Sequence, residues 1–291
     1  MLKLEKILVP VDFSERSAAA VKQGVALADR FHSELIFAHV IQPAPPEYAG
    51  FAGGYFVANF EPSEEETFRH FAERLEDLAS GAATNGRTLR IVSRGDPARE
   101  IVRLAKDHNA DLIVMPTHGY GPFRRFVLGS VTTKVLHDID CPVLTGAHLA
   151  ETPGEESRAH HRVACAVDLR PHSEKVLRWA AEFAAAYHAE LVLVHATPPV
   201  EPNPQVLGAE WGRAMNQWAT EQAEKLIRKV GCRVELRIHS GPPTDYIPAV
   251  LTDSSADLLV IGRSEQSGLL GRLRTHAYAL IRESPCPVVS V

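Results

Sequence analysis

The sequence of 291 residues contains no uninterrupted apolar run of the roughly 20 residues that a membrane-spanning helix needs. Its N-terminal segment has no signal-peptide core, because Glu5, Lys6 and Asp12 interrupt the apolar residues. The four cysteines lie far apart and form no CxxC pair, which argues against a disulfide framework or a structural zinc site. A formal charge of −5 gives no overall attraction for nucleic acid or an acidic membrane surface. These absences predict a soluble, cytoplasmic protein.

The sequence does contain an internal repeat. The segment Ile7–Asp12 (ILVPVD) returns as Val163–Asp168 (VACAVD), 156 residues later (163 − 7). Four further matches follow in the same order, and their first copies begin at Glu34, Gly95, Ala110 and Cys141. Five ordered matches indicate a duplicated domain.

The duplication predicts two domains, residues 1–148 and 160–291, which we call the first half and the second half. The stretch between them, residues 149–159, is polar and contains both Pro and Gly. Such a composition is typical of a linker.

Within each half, short apolar runs alternate with segments of helical periodicity. In the first half, Ser63 and Glu66 form a capping-box pattern, and Asp96-Pro97 has the order of an N-cap followed by Pro at the first helical position. The predicted strands are 7–11, 35–40, 88–93, 111–115 and 142–145, and the predicted helices begin near Ser14, Ser63, Asp96 and Ser130. Alternating strands and helices predict an α/β fold, in which each half has a five-stranded parallel sheet with helices on both faces.

In such a sheet, ligands bind beyond the carboxyl ends of the strands. Asp12 directly follows the first strand, and the segment 117–121 follows the fourth. Further along, Gly129 and Ser130 open a helix, where we expect them to place free N–H groups and a hydroxyl. A helix N-terminus of this kind is a natural phosphate site.

The sequence from Pro116 to Ser130 resembles the G-x2-G-x9-G-(S/T) motif of the ATP-binding universal stress proteins. Gly119, Gly129 and Ser130 match the motif, whereas Pro116 replaces its first glycine. The family's aspartate after the first strand corresponds to Asp12. The resemblance covers both halves, so the chain resembles a tandem universal stress protein with two Rossmann-like domains of the HUP type.

The resemblance implies that the first half binds an adenine nucleotide, ATP, with or without Mg²⁺. The main chain of Val40 would read the adenine edge, Asp12 would contact the ribose or a phosphate-bound metal, and Gly119 with the start of the helix would hold the phosphates through N–H groups and hydroxyls. The implied nucleotide-binding residues are Pro10, Val11, Asp12, Val40, Met115, Pro116, His118, Gly119, Gly129, Ser130, Val131 and Thr132. No catalytic residue and no resident metal ligand is predicted.

Pro116 leaves the affinity of this site open. Proline has no N–H and a fixed φ, so it cannot replace a glycine that donates a hydrogen bond or adopts positive φ. It is tolerated if the glycine only allows the ribose to approach.

The second half departs further from the motif. It keeps Gly262, but Glu265 and Thr275 stand where the other two glycines would be. A carboxylate repels phosphate, and a threonine prevents close backbone approach. We therefore predict one nucleotide per chain, bound by the first half.

The resemblance also implies that the two halves pair through their last strands, 142–145 and 287–291, as an internal pseudo-dimer, and it is compatible with a homodimer of chains. The protein would then be a stress-response module that senses a nucleotide and acts on an unknown protein partner. A slow ATPase and a nucleotide-independent scaffold remain alternatives, and Pro116 favours the scaffold. A phosphoacceptor domain is disfavoured, because Asp12 has no acidic neighbour and the third strand ends in Ser-Arg-Gly.

Three further interpretations concern residues outside the motif. His39 and His195 occupy equivalent strand positions and are expected to be hydrogen-bonded core or rim residues. Trp211, Met215 and Trp218 have the i, i+4, i+7 spacing expected of a buried helical stripe. The aromatic-rich segment 43–62 is compatible with a lid, a partner surface or a mobile connection.

Overall fold

The computed structural model describes residues 2–43, 63–81, 86–117, 128–146, 160–198, 208–263 and 275–291. His118, Gly119, Glu265 and nearly all of the segment 43–62 lie outside these residues, and so does the predicted linker.

The elements follow the predicted alternation of strands and helices in both halves. The strands are β1 (Lys6–Pro10), β2 (Glu34–Ile41), β3 (Thr88–Arg94), β4 (Leu112–Val114), β5 (Val143–Thr145), β6 (Arg162–Ala166), β7 (Glu190–Thr197), β8 (Glu235–Ser240), β9 (Leu258–Ile261) and β10 (Val288–Ser290). The helices of the described residues are α1 (Glu15–Phe31), α2 (Glu64–Gly81), α3 (Pro97–Asp107), α4 (Ser130–Asp138), α5 (Ser173–Tyr187), α6 (Gly208–Val230), α7 (Pro243–Asp253) and α8 (Thr275–Glu283).

Short-range capping decides where several helices begin. Ser14 caps α1 by accepting a hydrogen bond from Ser17 N at 3.1 Å. Before α2, the Ser63 amide donates to Glu66 at 2.8 Å and the Glu66 amide donates to Ser63 Oγ at 3.1 Å, so the capping box is confirmed. Asp96 caps α3 at 3.0 Å, with Pro at the start of the helix as predicted.

The ten strands form one sheet in the order β3-β2-β1-β4-β5-β10-β9-β6-β7-β8. Neighbouring strands are parallel within each half, and β5 pairs antiparallel with β10, where Val143 lies opposite Ser290. The expected pairing of the last strands is therefore present. Each half is a Rossmann-like α/β unit, and the two units share a continuous sheet.

Both faces of the sheet are buried. Ile7 and Val9 of β1 contact the core layer formed with α1, α2 and α5, whereas Leu8 contacts the layer formed with α3, α4, α7 and α8. This alternation follows from the two-residue period of a strand. It explains why β1 is apolar throughout rather than alternating.

The prediction that Trp211, Met215 and Trp218 form a buried stripe is wrong. The two tryptophans are 48% and 49% exposed. Helix α6 instead buries Ala219 and Ala223, and Ala223 belongs to the core layer that contains Ile7 and Val9. Within the described parts of the chain, no helix has the length and apolar character needed to cross a membrane.

Candidate functional site

The turn after β1 holds Asp12 in a defined orientation. Its Oδ1 accepts hydrogen bonds from Ser14 N at 2.9 Å and from Ser14 Oγ at 2.6 Å. Between them, Phe13 adopts a left-handed backbone conformation with φ of 61°, which allows the chain to reverse into α1. The carboxylate therefore lies at the carboxyl end of β1, held by local hydrogen bonds.

The second half repeats this turn. Asp168 Oδ1 accepts from Arg170 N and from Ser173 Oγ, both at 3.1 Å, and Leu169 has φ of 58°. Because both halves make the same turn, Asp168 provides a matched control for Asp12.

An aromatic cluster lies beside the turn in the first half. His39 is 4.9 Å from Phe13 and 4.2 Å from Phe71 between ring centroids, and the Arg74 guanidinium lies 3.9 Å over the Phe13 ring. His39 Nδ1 is 2.7 Å from the Val11 carbonyl oxygen. Burial lowers the pKa of His39, so the ring is neutral at pH 7 and its Nδ1–H donates to that carbonyl.

His195 makes the equivalent contact with the Val167 carbonyl at 2.8 Å. The prediction that both histidines are hydrogen-bonded core or rim residues is confirmed. The cluster of Phe13, His39 and Phe71 with Arg74 was not predicted, because the sequence indicates only that Phe71 lies on the apolar face of a helix.

The backbone of Val40 points towards the same edge. In a parallel ladder, the N–H and C=O of one residue face the same neighbouring strand. The Ala38 carbonyl accepts from Val11 N, whereas the Ile41 carbonyl accepts from Gly95 N on the opposite side. Residues two apart in a strand face the same neighbour, so the N–H and C=O of Val40 face β1, as those of Ala38 do. Since β1 ends at Pro10, paired with Ala38, this donor and acceptor face the space beyond the strand.

The N-terminus of α4 lies after β4, at the adjacent strand end. Gly129 is the N-cap, with φ of −61° and no side-chain cap. Its N–H donates to the Thr117 carbonyl at 2.8 Å, so the expectation that this N–H is free is wrong. The first helical hydrogen bond runs from Thr133 N to Gly129 O. The N–H groups of Ser130, Val131 and Thr132 therefore have no acceptor within the helix and are available to donate to a ligand.

The Thr132 hydroxyl has a different role from the one expected. Thr132 is only 3% exposed, and its Oγ1 donates to the Pro116 carbonyl at 3.0 Å. The hydroxyl hydrogen is therefore used to attach α4 to the end of β4. Met115 is buried on the same strand end, with its N–H bonded to the Leu144 carbonyl.

Pro10 and Pro116 both remove donors from the boundary between β1 and β4. The Lys6 carbonyl accepts from Asp111 N, so Lys6 faces β4, and Pro10, four residues further along the strand, faces β4 too. Met115 N donates to Leu144 O of β5, so the nitrogen of the next residue, Pro116, faces β1. The β1–β4 ladder pairs Ile7 with Leu112 and Leu8 with Ile113. In the second half, where Ala166 and Gly262 replace the prolines, the ladder continues to Ala166 and Ile261. The donor missing at Pro116 is thus lost from the strand boundary and not from the N-terminus of α4.

The structure brings most of the implied site residues to one edge of the first half. Pro10 is the last residue of β1, and Val11 and Asp12 follow it. Val40 is the last but one residue of β2, and Met115 and Pro116 follow β4 beside α4. His118 and Gly119 lie outside the described residues. Among the residues that the structure describes, no group of three or more His, Cys, Asp or Glu is arranged to hold a metal ion.

The second half has a cavity of about 360 Å³ at the corresponding edge. Its walls come from the ends of β6, β7 and β9 and from α5, α7 and α8. They include Asp168, Ala196, Gly262, Arg263 and Ala277. The motif comparison predicted only a lost phosphate site here. No signal in the sequence indicates that the space itself persists.

Comparison with known proteins agrees with the duplicated architecture. The model of the universal stress protein family matches residues 3–145 and again residues 160–291. A universal stress protein of Mycolicibacterium smegmatis is 26% identical over 295 residues, which cover 98% of this chain and 96% of that protein. Universal stress protein MJ0531 of Methanocaldococcus jannaschii is 33% identical over 141 residues, which cover 48% of this chain and 80% of that protein.

Solved structures show the same fold along the whole chain. A universal stress protein from Archaeoglobus fulgidus superimposes with a TM-score of 0.65 at 21% identity, covering 99% of this chain and 96% of that one. Protein PA1789 of Pseudomonas aeruginosa gives a TM-score of 0.68 at 16% identity, covering 99% and 92%. With the family model matching both halves, this chain belongs to the universal stress protein family, as a tandem of two such domains.

Proposed function

We propose that the first half binds an adenine nucleotide, ATP, and that the chain is a stress-response module whose nucleotide occupancy alters its contacts with a protein partner. The observation that carries this proposal is the presence of two sets of unpaired backbone groups at one sheet edge. One is the N–H and C=O pair of Val40, and the other is the set of N–H groups at the start of α4.

The Val40 pair suits a purine edge, which offers an acceptor beside a donor. The N–H groups of Ser130, Val131 and Thr132 suit phosphate oxygens, since a helix N-terminus also has a positive dipole end. Asp12 lies between these two groups in the order of the strands and would contact the ribose or a phosphate-bound Mg²⁺.

Pro116 does not oppose this assignment. Its nitrogen faces the boundary with β1, so the missing donor shortens a strand ladder and takes nothing from the phosphate donors of α4. Its carbonyl also positions Thr132 through the hydroxyl contact at 3.0 Å. These contacts favour the nucleotide-binding module over the nucleotide-independent scaffold.

The proposal is tested by calorimetric titration of the full chain with ATP, using Val40→Pro and Val40→Ile. Proline at this position removes one donor facing the site and breaks no hydrogen bond to β3, and Val40→Ile preserves the donor. We expect Val40→Pro to weaken ATP binding at least tenfold and Val40→Ile to leave it within twofold of the parent. Equal affinity of all three proteins, with both variants folded by circular dichroism, would refute the adenine assignment.

A further inference from the structure

The two exposed tryptophans of α6 share one face of the helix. Trp211 and Trp218 are seven residues, or about two turns, apart, and Lys225 follows at the same spacing. We call these three residues the α6 stripe. The tryptophans are 48% and 49% exposed, whereas Trp179, the third tryptophan of the chain, is 8% exposed. Large apolar side chains that lie exposed on a common face mark an interaction site.

The shared fold does not require this stripe. Helix α2 occupies the same place in the first half, and it buries Leu75 where α6 buries Ala219 (219 − 75 = 144). At that offset, Thr67 and Arg74 stand in place of the two tryptophans. The aromatic stripe therefore belongs to the second half alone and is not needed to build the domain.

The stripe lies at one end of the molecule. Strand β8 is the edge of the ten-stranded sheet, and α6 packs on β7 and β8 with α5 beside it. Among the described elements, α6 is thus the outermost helix of its layer. A partner of some size can approach it from solvent.

The charges of α6 differ in sign between its two ends. Glu210 lies in the first turn, and Arg228 lies in the last. Lys225, at the basic end of the stripe, is exposed. Exposed Glu210 and Glu221 flank the stripe, which disfavours nucleic acid or an acidic lipid surface as the occupant.

This layout is complementary to itself when two helices run antiparallel. With a two-fold axis at Trp218, that ring meets its own copy, and each Trp211 lies opposite the Lys225 of the other chain, because both are seven residues from the axis. Aromatic pairs and cation–π contacts are both favourable. The acidic start of each helix then also meets the basic end of the other. A parallel pair would instead place Lys225 against Lys225 and Glu210 against Glu210.

From this complementarity we propose that the α6 stripe is a self-association surface, on which a second copy of this chain docks through its own α6 in antiparallel orientation. The surface is separate from the pairing of β5 with β10, and it does not depend on nucleotide binding in the first half. One helix face buries less area than a standard stable interface, so the dimer is weak and reversible.

The test is sedimentation velocity of the full chain at concentrations up to about 1 mM. We expect a monomer–dimer equilibrium for the parent and at least tenfold weaker dimerisation for Trp218→Glu, which brings two carboxylates together at the axis. Arg213→Gln is the matched control, because it also changes the net charge by −1 and Arg213 is exposed on the opposite side of α6. Its dimerisation should stay within twofold of the parent. A parent that is monomeric throughout, or equal dimerisation of the parent and Trp218→Glu, would overturn the proposal.

Lys225→Gln tests the orientation. In the antiparallel pair it removes two cation–π contacts, so we expect weaker dimerisation. Stronger dimerisation would show that it had relieved a repulsion between like charges and would overturn the antiparallel arrangement.

Tryptophan fluorescence of the parent locates the interface without any substitution. Trp179 is buried in the monomer already, so a shift of the emission to shorter wavelength with rising concentration would come from Trp211 and Trp218 as they leave water. We expect this shift to follow the dimer fraction measured by sedimentation. A dimer that forms without a shift would overturn the assignment to the α6 stripe.

Discussion

Arg263 of the second half donates from Nη1 to the Ile139 carbonyl of the first half at 2.9 Å. The same guanidinium bonds the carbonyls of Leu136 at 3.2 Å and Cys141 at 2.6 Å, so one side chain closes the C-terminal end of α4. Arg263 is only 6% exposed, and its positive charge meets the negative end of the helix dipole. The helix that would hold the phosphates at its N-terminus is thus fastened by the second half at its C-terminus.

Replacing this arginine should destabilise the whole chain. Arg263→Leu leaves several buried carbonyls without donors, and we expect the free energy of unfolding to fall by about 2–4 kcal/mol in urea denaturation. Arg237→Leu is the matched control, because Arg237 forms exposed ion pairs with Glu235 and Asp253 and should cost less than about 1 kcal/mol. Equal losses for the two variants would contradict the capping role.

Gly129→Asp should abolish ATP binding while preserving the helix. The φ of −61° at Gly129 suits any residue, and Asp is a good N-cap, so α4 should gain rather than lose stability. The added carboxylate competes with phosphate for the same N–H groups. Gly129→Asn caps the helix without the charge and should bind ATP at least tenfold more tightly than Gly129→Asp. Calorimetry should give one ATP per parent chain. Equal ATP affinities of Gly129→Asp and Gly129→Asn would exclude phosphate binding at the N-terminus of α4.

Asp12→Ala should weaken ATP binding by about 1–3 kcal/mol, the range expected for losing a hydrogen bond to a charged or buried group. Asp168→Ala removes the same turn carboxylate from the second half and should leave ATP affinity unchanged. Both substitutions release a local hydrogen bond at a helix start, so their effects on thermal unfolding should be similar. If the two variants bind ATP alike, Asp12 does not contact the nucleotide.

His39 should make the protein less stable in acid. Burial lowers its pKa in the folded state, so the unfolded chain binds the proton more readily. Its contribution is fully present above the ordinary histidine pKa of about 6.5 and is lost as pH falls through the lower folded value. We expect the stability of the parent to fall more steeply between pH 7 and pH 5 than that of His39→Gln, measured by urea unfolding. Parallel pH profiles would show that this ring does not titrate with unfolding.

Any hydrolysis of ATP should be far slower than the roughly 1–10³ per second of typical enzymes. The motivating observation is the sequence, which has neither a Walker GxxxxGK[ST] segment nor a nucleophile elbow. Phosphate release by the full chain, followed over hours with ATP and Mg²⁺, checks this. Turnover of 1 per second or more would establish an ATPase.

The sequence by itself determined the duplication, the α/β class and most element positions. The helix starts at Ser14, Ser63 and Asp96 were predictable because each depends on a hydrogen bond between residues three apart. The strands were predictable because β1 and its neighbours are buried on both faces and so appear as apolar runs. The bounds of α4 were predicted as found, and the predicted strand bounds differ from the observed ones by at most one residue.

Only the tertiary structure decided which helix face is buried and which backbone N–H groups are already hydrogen-bonded. Trp211 and Trp218 have the spacing of a core stripe, but α6 buries the face that carries Ala219 and Ala223. The N–H of Gly129 is bonded to Thr117, and the effect of Pro116 depends on which neighbouring strand its nitrogen faces. Arg263 meets a carbonyl 124 residues earlier in the chain, and the second-half cavity is lined by residues of six separate elements. Such contacts depend on packing between distant segments, for which the local pattern of residues carries no signal.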